Sequence, residues 1–176
     1  MRVVTGTLKG RRLVAPPPGD LRVRPTADRA REALFSILQR WSVGPFLDLC
    51  AGTGAVGLEA HSRGYAPVVC VEAAEPGWTC LQKNLAGSAV RPLRQDVKRL
   101  GTSEFKGQAV IFVDPPYGLA SELWRRQAQT WRSWIAVDGV LVFETDRNTA
   151  LELQPGWNLA ETREYGAARF HLWTPA

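Results

Sequence analysis

Residues 109–117, AVIFVDPPY, place a carboxylate, two prolines and a phenol at the end of an apolar run that reads as a buried strand. Two prolines cannot extend a strand ladder, so Asp114, Pro115, Pro116 and Tyr117 are delivered together to its C-terminal end. These residue types suit one kind of chemistry. An exocyclic amino group on a base is a poor nucleophile because its lone pair is conjugated into the ring. A site that activates it must hold both N–H groups and aim the lone pair at an electrophile. Asp114 can accept one hydrogen bond and the Pro115 carbonyl the other, since proline keeps its acceptor while lacking a donor. The rigid Pro115–Pro116 pair fixes that carbonyl. Tyr117 can stack on the base, worth roughly 1–3 kcal/mol. Positioning of this type can lower a barrier by up to about 7–11 kcal/mol.

A second constellation lies upstream in FLDLCAGTGAVGLEA, residues 46–60. Gly52, Gly54 and Gly57 follow an apolar run and open a helical one, so the backbone can turn tightly and approach a ligand beside a helix N-terminus. Asp48 sits inside the preceding strand. Glu72 ends the next apolar run, VVCVE, where two acceptor oxygens can hold a ribose diol. Asp96 follows at RQD, as a ligand or as a helix cap. Asp48, Glu72, Asp96 and Asp114 all fall at or near predicted strand C-termini, the edge where open α/β sheets bind ligands. A nicotinamide dinucleotide accounts for the glycines but leaves the proline motif unexplained.

The elements that must position these groups alternate. Strands are expected at FLDLC, VVCVE, PLRQD, AVIFVD and GVLVFET, with helices over residues 30–41, to about Ser62, over 76–85 and over 121–135. Continuous apolar strands separated by helices imply a mostly parallel sheet covered on both faces. The end, WNLAETREYGAARFHLWTPA, reads as an antiparallel hairpin around Tyr165-Gly166. At the other end, RVVTGTLKGRRLVA reads as a small basic β-hairpin around Lys9-Gly10. The breaker PPPGD after it divides a hairpin extension, residues 1–20, from a main domain, residues 21–176.

The chain has 176 residues and a net charge of +5. Residues 1–40 carry nine Lys/Arg against three acids, and the remainder carries 13 against 14. The whole basic excess is N-terminal, which points to an anionic polymer such as nucleic acid. Three cysteines without a CxxC pair and two histidines give no metal ligand set, so no metal is expected. Trp124, Trp131 and Trp134 on one predicted helix read as packing. No apolar run reaches membrane-spanning length and the first residues make a poor signal peptide, so a cytoplasmic location is expected.

The Gly-rich loop with the strand-end acids resembles the class I S-adenosylmethionine-dependent methyltransferases, whose Rossmann-like sheet has seven strands. The resemblance implies that Ala51, Gly52, Gly54, Glu72 and Asp96 bind S-adenosylmethionine and that Asp48 orients the loop or the methionine ammonium. DPPY resembles the motif of enzymes that methylate adenine N6, cytosine N4, guanine N2 or glutamine amides, with Asp114, Pro115, Pro116 and Tyr117 catalytic. Over nearly the whole chain, MRVVTGTLKGRRL, RPTADRAREALFSIL, FLDLCAGTGAVGLEAHSRG and ARFHLW are similar to the RsmD family, 16S ribosomal RNA (guanine-N2)-methyltransferases. That implies RNA contacts from Arg2, Lys9, Arg11 and Arg12, with Arg24, Thr26, Arg29 and Arg31 near the mouth of the site. The implied partner is 16S rRNA in the small subunit or its assembly intermediate, met by a monomer. Ala74 departs from the family, which usually has a second acid there. DNA or protein-glutamine methylation and a non-catalytic RNA-binding assembly factor are the alternatives.

Overall fold

The apolar runs fold as strands because each is buried on both faces. The computed structural model describes residues 1–16, 28–101, 105–116 and 118–176. Four helices, α1 (Asp28–Leu38), α2 (Ala55–Ser62), α3 (Gly77–Leu85) and α4 (Ala120–Arg132), alternate with strands β1 (Phe46–Leu49), β2 (Val68–Val71), β3 (Arg91–Leu93), β4 (Gln108–Val113) and β5 (Ile135–Asp146). A 3₁₀ turn, Val97–Arg99, follows β3, and β6 (Trp157–Tyr165) and β7 (Ala168–Pro175) close the chain. The seven strands lie in the order β3-β2-β1-β4-β5-β7-β6. The first five run parallel, and β7 is antiparallel to both β5 and β6.

The chain moves outward from β1 through β2 to β3, then returns to place β4 on the other side of β1. The crevice between the C-terminal ends of β1 and β4 is therefore the topological switch point, where such sheets bind ligands. Alternation along the strands sorts residues to two cores. Phe46, Cys70, Phe112, Val142 and Phe170 pack under α1, α2 and α3. Leu47, Ile111, Phe143 and Trp173 pack under α4 with Trp124, Trp131, Trp134 and Trp157. Trp124 stacks on Trp173 at a centroid distance of 4.7 Å. All five indoles are core; Trp124 and Trp131 lie on α4, but Trp134, expected on the same helix, falls just beyond its end at Arg132, and Trp157 and Trp173 come from β6 and β7.

Two elements differ from the sequence-based expectation. Strand β5 begins at Ile135, four residues before the apolar run, and bulges against β4 between Gln108 and Val110. Gly139 permits it: a Cβ there would lie 2.8 Å from the Gln108 carbonyl oxygen. Val137 consequently faces solvent, 92% exposed. Polar and exposed positions at this strand end hide it from a hydrophobic pattern.

The N-terminal segment departs further. Instead of a two-stranded hairpin it makes a single antiparallel bridge, Arg2 with Arg12, closed by Val3 N to Arg11 O at 2.9 Å and Gly10 N to Val3 O at 2.9 Å. Val3 and Leu13 are buried in the α1–α3 core. The amides of Val4 and Thr5 donate to the Glu59 carboxylate at 2.7 and 3.0 Å, and Leu8 N donates to Ser62 Oγ at 2.9 Å. A Cβ on Gly6 would fall 1.8 Å from the Ser62 carbonyl oxygen, so the turn lies flat on α2. The segment is a strip cemented to the main body, because an isolated two-stranded hairpin is marginal in water.

Candidate active site at the switch point of the sheet

Asp48 is 1% exposed, on the β1 face that meets α2. Its Oδ2 accepts from the Gly57 amide at 2.9 Å and lies 3.8 Å from Cys70 Sγ. Gly57, last of the three motif glycines, has a packing role: a Cβ there would lie 2.1 Å from Cys70 Sγ. Its absence lets α2 sit against β1 and β2 with Asp48 in the seam. Burial pushes the Asp48 carboxyl up to about 8, opposed by the Gly57 hydrogen bond and reinforced by Asp114 and Glu72. Burial thus favours the neutral form of Asp48, which braces the loop from within.

The loop after β1 carries three left-handed residues in five: Cys50 at φ 61°, Gly52 at φ 55° and Gly54 at φ 76°. For Cys50 that conformation costs on the order of 1–3 kcal/mol, strain of the kind stored at ligand-binding turns. Several contacts hold it. Ala51 N donates to Val71 O at 2.9 Å, and Gly54 N to Ala51 O at 2.8 Å. Glu72, at the end of β2, accepts from Gly52 N on Oε2 and from Ala74 N on Oε1, each at 2.8 Å. Each carboxylate oxygen keeps a further lone pair for a hydroxyl. The sequence reading missed Gly77, where a Cβ would lie 3.2 Å from Glu72 Cγ and Cδ. Its only sequence signal is a glycine opening a helix five residues after the acid.

Asp96 performs the capping role: its Oδ1 accepts from Lys98 N at 2.9 Å at the head of the 3₁₀ turn. It remains half-buried, and the cap does not consume its acceptor capacity.

Asp114 continues the β1–β4 ladder by one bond, its amide donating to Leu49 O at 3.3 Å, which sets it beside the Gly-rich loop. Pro115 is buried, Pro116 is exposed, and Pro116 O accepts from Leu119 N at 3.2 Å, closing the turn into α4. Asp114, Pro115 and Pro116 line a small cleft with Glu144, Thr145 and Asp146 from the end of β5. Its volume, about 10 Å³, holds no more than a single water. The β5 wall was not anticipated from sequence. Thr145 Oγ1 donates to Asp146 O at 2.8 Å and lies 3.0 Å from His171 Nε2. The hydroxyl has one proton, so Nε2–H is the donor to Thr145. Burial, then Arg169, holds His171 at about 4, leaving it neutral in this role.

Asp48, Ala51, Gly52, Gly54, Glu72, Asp114, Pro115 and Pro116 therefore share one sheet edge, with Asp96 on the same edge. Tyr117, Arg24 and Thr26 lie outside the described residues. Among the basic residues the outcome is divided. Arg2, Lys9, Arg12 and Arg29 are exposed. Arg11 is half-buried, and its Nη2 donates to Asn84 O and Ala86 O at 2.8 and 2.7 Å, capping the end of α3. Arg31 corrects the expectation of an RNA contact: it is 0% exposed, donating to Arg2 O at 2.6 Å and to Asp28 at 2.9 Å, 3.9 Å from Glu59. Its spacing to Leu34, Phe35 and Leu38 put it on the buried helix face, a signal overshadowed by its charge. Lys9 is exposed away from the loop. The turn containing it rests on Ser62, about 11 Å along α2 from the Gly-rich loop, at the opposite sheet edge.

Among the described residues no cluster of His, Cys, Asp and Glu fits a metal ion, and no helix is long and apolar enough to cross a membrane. The residues present do fit S-adenosylmethionine in its components: a left-handed turn, a diol-competent acid at Glu72, and a further acid at Asp96. The family model described as conserved hypothetical protein 95 matches residues 1–174. The chain belongs to this family. It is similar to the ribosomal RNA small subunit methyltransferase D of Escherichia coli (strain K12), 32% identical, covering 98% of this chain and 89% of that one. The Haemophilus influenzae protein of the same name is 27% identical, over 98% of this chain and 93% of its own. Among solved structures, the Thermus thermophilus hypothetical protein TTHA0928 superposes with a TM-score of 0.81 at 27% identity, covering 100% and 99% of the two chains. The sheet order and these neighbours make the fold that of a class I methyltransferase.

Proposed function

We propose that this chain transfers a methyl group from S-adenosylmethionine to the exocyclic N2 of a guanine in 16S rRNA, presented by the small subunit or its assembly intermediate to a monomeric enzyme. The observation that carries this reading is the placement of Asp114 and Pro115 at the β4 terminus, stitched to β1 immediately before the Gly-rich loop. S-adenosylmethionine supplies an electrophilic methyl when bound. Ala51, Gly52 and Gly54 shape the turn that would cradle its methionine part, Glu72 holds the ribose hydroxyls and Asp96 meets the adenine. Asp114 and the Pro115 carbonyl take the two N2 protons in hydrogen bonds and turn the lone pair toward the methyl. As the C–N bond would form, the methyl–sulfur bond would break with its electron pair left on sulfur, giving S-adenosylhomocysteine; the nitrogen becomes acidic, and its proton would pass to Asp114 or through it to water. Tyr117, by residue type alone, suits stacking on the base. Extruding the base from its stack costs a few kcal/mol, met by phosphate contacts elsewhere. Arg2, Arg12 and Arg29 are exposed cations that suit those contacts. The described part of the proposed 1–20 extension, residues 1–16, then makes an RNA-facing strip on the proposed methyltransferase domain, residues 21–176.

The test uses labelled S-adenosylmethionine with small subunits lacking the modification, naked DNA, and a glutamine-bearing release-factor-like protein. Label in N2-methylguanosine is expected. Label confined to DNA or protein overturns the reading, and RNA binding with no transfer to any substrate points to a non-catalytic assembly factor.

A further inference from the structure

Asn84 sits on the last turn of α3, 3% exposed, between the N-terminal strip and the Gly-rich loop. Its Oδ1 accepts from Val14 N at 2.7 Å and its Nδ2 donates to Val14 O at 3.0 Å. The side chain thus pairs with both backbone groups of one strip residue, as a neighbouring strand would. The second Nδ2 proton goes to Thr53 O at 2.9 Å. Thr53 stands between Gly52 and Gly54, the two glycines with left-handed φ. Two further contacts converge on the junction: Thr53 Oγ1 donates to Met1 Sδ at 3.9 Å, and Arg11 Nη2 donates to the Asn84 carbonyl at 2.8 Å. Met1, Arg11 and Val14 of the strip therefore all meet the loop through Asn84 and Thr53. The exchange needs an amide: Asp lacks both donors, and aliphatic residues lack donor and acceptor alike.

We infer that Asn84 is a positioning residue that couples the RNA-facing strip to the cofactor loop, so that occupancy of either site favours occupancy of the other. This inference rests on the proposed assignment of the strip to RNA and of the loop to the cofactor. RNA seated on the strip restrains Val14, and through one amide it restrains Thr53. The loop then surrenders less conformational freedom when the cofactor binds. Coupling of this type is reciprocal, and typical values are about 5–150-fold in affinity.

The experiment measures binding of S-adenosylhomocysteine, the unreactive product, by the full chain with and without saturating unmodified small-subunit particles. Wild type is expected to bind it at least about fivefold tighter with particles. In Asn84→Asp, which keeps the acceptor toward Val14 N and turns both donors into repulsions, that ratio falls to near one. Val14→Pro removes the strip's donor and leaves Asn84 in place, and it lowers the ratio should Asn84→Asp fail to fold. A Trp157→Phe control, destabilised in the other core by loss of its bond to Ala128 O, keeps the wild-type ratio. A wild-type ratio of one, with methyl transfer intact, overturns the coupling alone. A wild-type-like ratio in folded Asn84→Asp and in Val14→Pro shows Asn84 to be merely structural and also overturns it. Absence of transfer to the particles by wild type overturns the proposed function instead.

Discussion

At the residue scale, the acids of the site have separated their roles by environment. Asp114 ends a strand where an incoming amino group can reach it, whereas Asp48, two strand residues before the loop, is sealed against Gly57 and Cys70. Asp114→Ala is expected to lower kcat by about 100-fold, a misplaced nucleophile's penalty, while the dissociation constant for S-adenosylmethionine stays within a few-fold. Single-turnover transfer and equilibrium titration check the two halves. Asp48 has a pH signature. Its folded value of about 8 stands above the unfolded 3.8, so the folded protein keeps a proton the unfolded chain has lost. The stability this confers is fully present below pH 4 and is lost as pH rises through 8, at up to about 1.4 kcal/mol per pH unit. Asp48→Asn, neutral at every pH, flattens that slope in denaturant titrations between pH 5 and 8 while preserving an acceptor for Gly57.

At the element scale, the seam between α2 and the sheet is set by a missing side chain. Gly57→Ala drives a methyl into Cys70 Sγ and is expected to cost about 1–3 kcal/mol by overpacking. Combined with Cys70→Ala the loss should largely vanish, because the second change removes the sulfur the methyl would strike. A thermal-melt double-mutant cycle reads the coupling. The N-terminal strip is an element of the same kind, held by Glu59, which is buried between Arg31, Arg63 and the amides of Val4 and Thr5. Arg31→Ala leaves the Glu59 charge with fewer partners and should destabilise by about 3–5 kcal/mol. Its RNA affinity per folded molecule should change far less, which separates it from the surface cations.

At the scale of the whole molecule, the sheet puts the proposed chemistry at one edge, and on the proposed reading the exposed cations determine how RNA reaches it. Neutralising Arg2 and Arg12 together should lower the slope of log affinity against log salt by about two. Lys9→Ala, whose turn rests on Ser62 at the opposite edge, should change the slope least. Salt titrations of particle binding decide between a footprint that spans the strip and one confined to its active-site end. The linear chain made the central architecture legible: β2 and β4 are continuous apolar runs followed by acids, β1 is an apolar run interrupted by Asp48, and the glycines follow it, all patterns of period and punctuation that act over a few residues. It also made DPPY legible as a paired acceptor, since proline's missing donor is a covalent fact. The contact of Thr145, in the cleft wall, with His171 lay hidden, because it joins residues 26 apart through an antiparallel pairing whose register no local pattern specifies. The burial of Arg31, the anchoring of Arg11 and the meeting of Val14, Asn84 and Thr53 were decided only by tertiary structure. In each case a polar side chain is satisfied by backbone groups far away in sequence, and only folding determines which carbonyls and amides stand there to receive it.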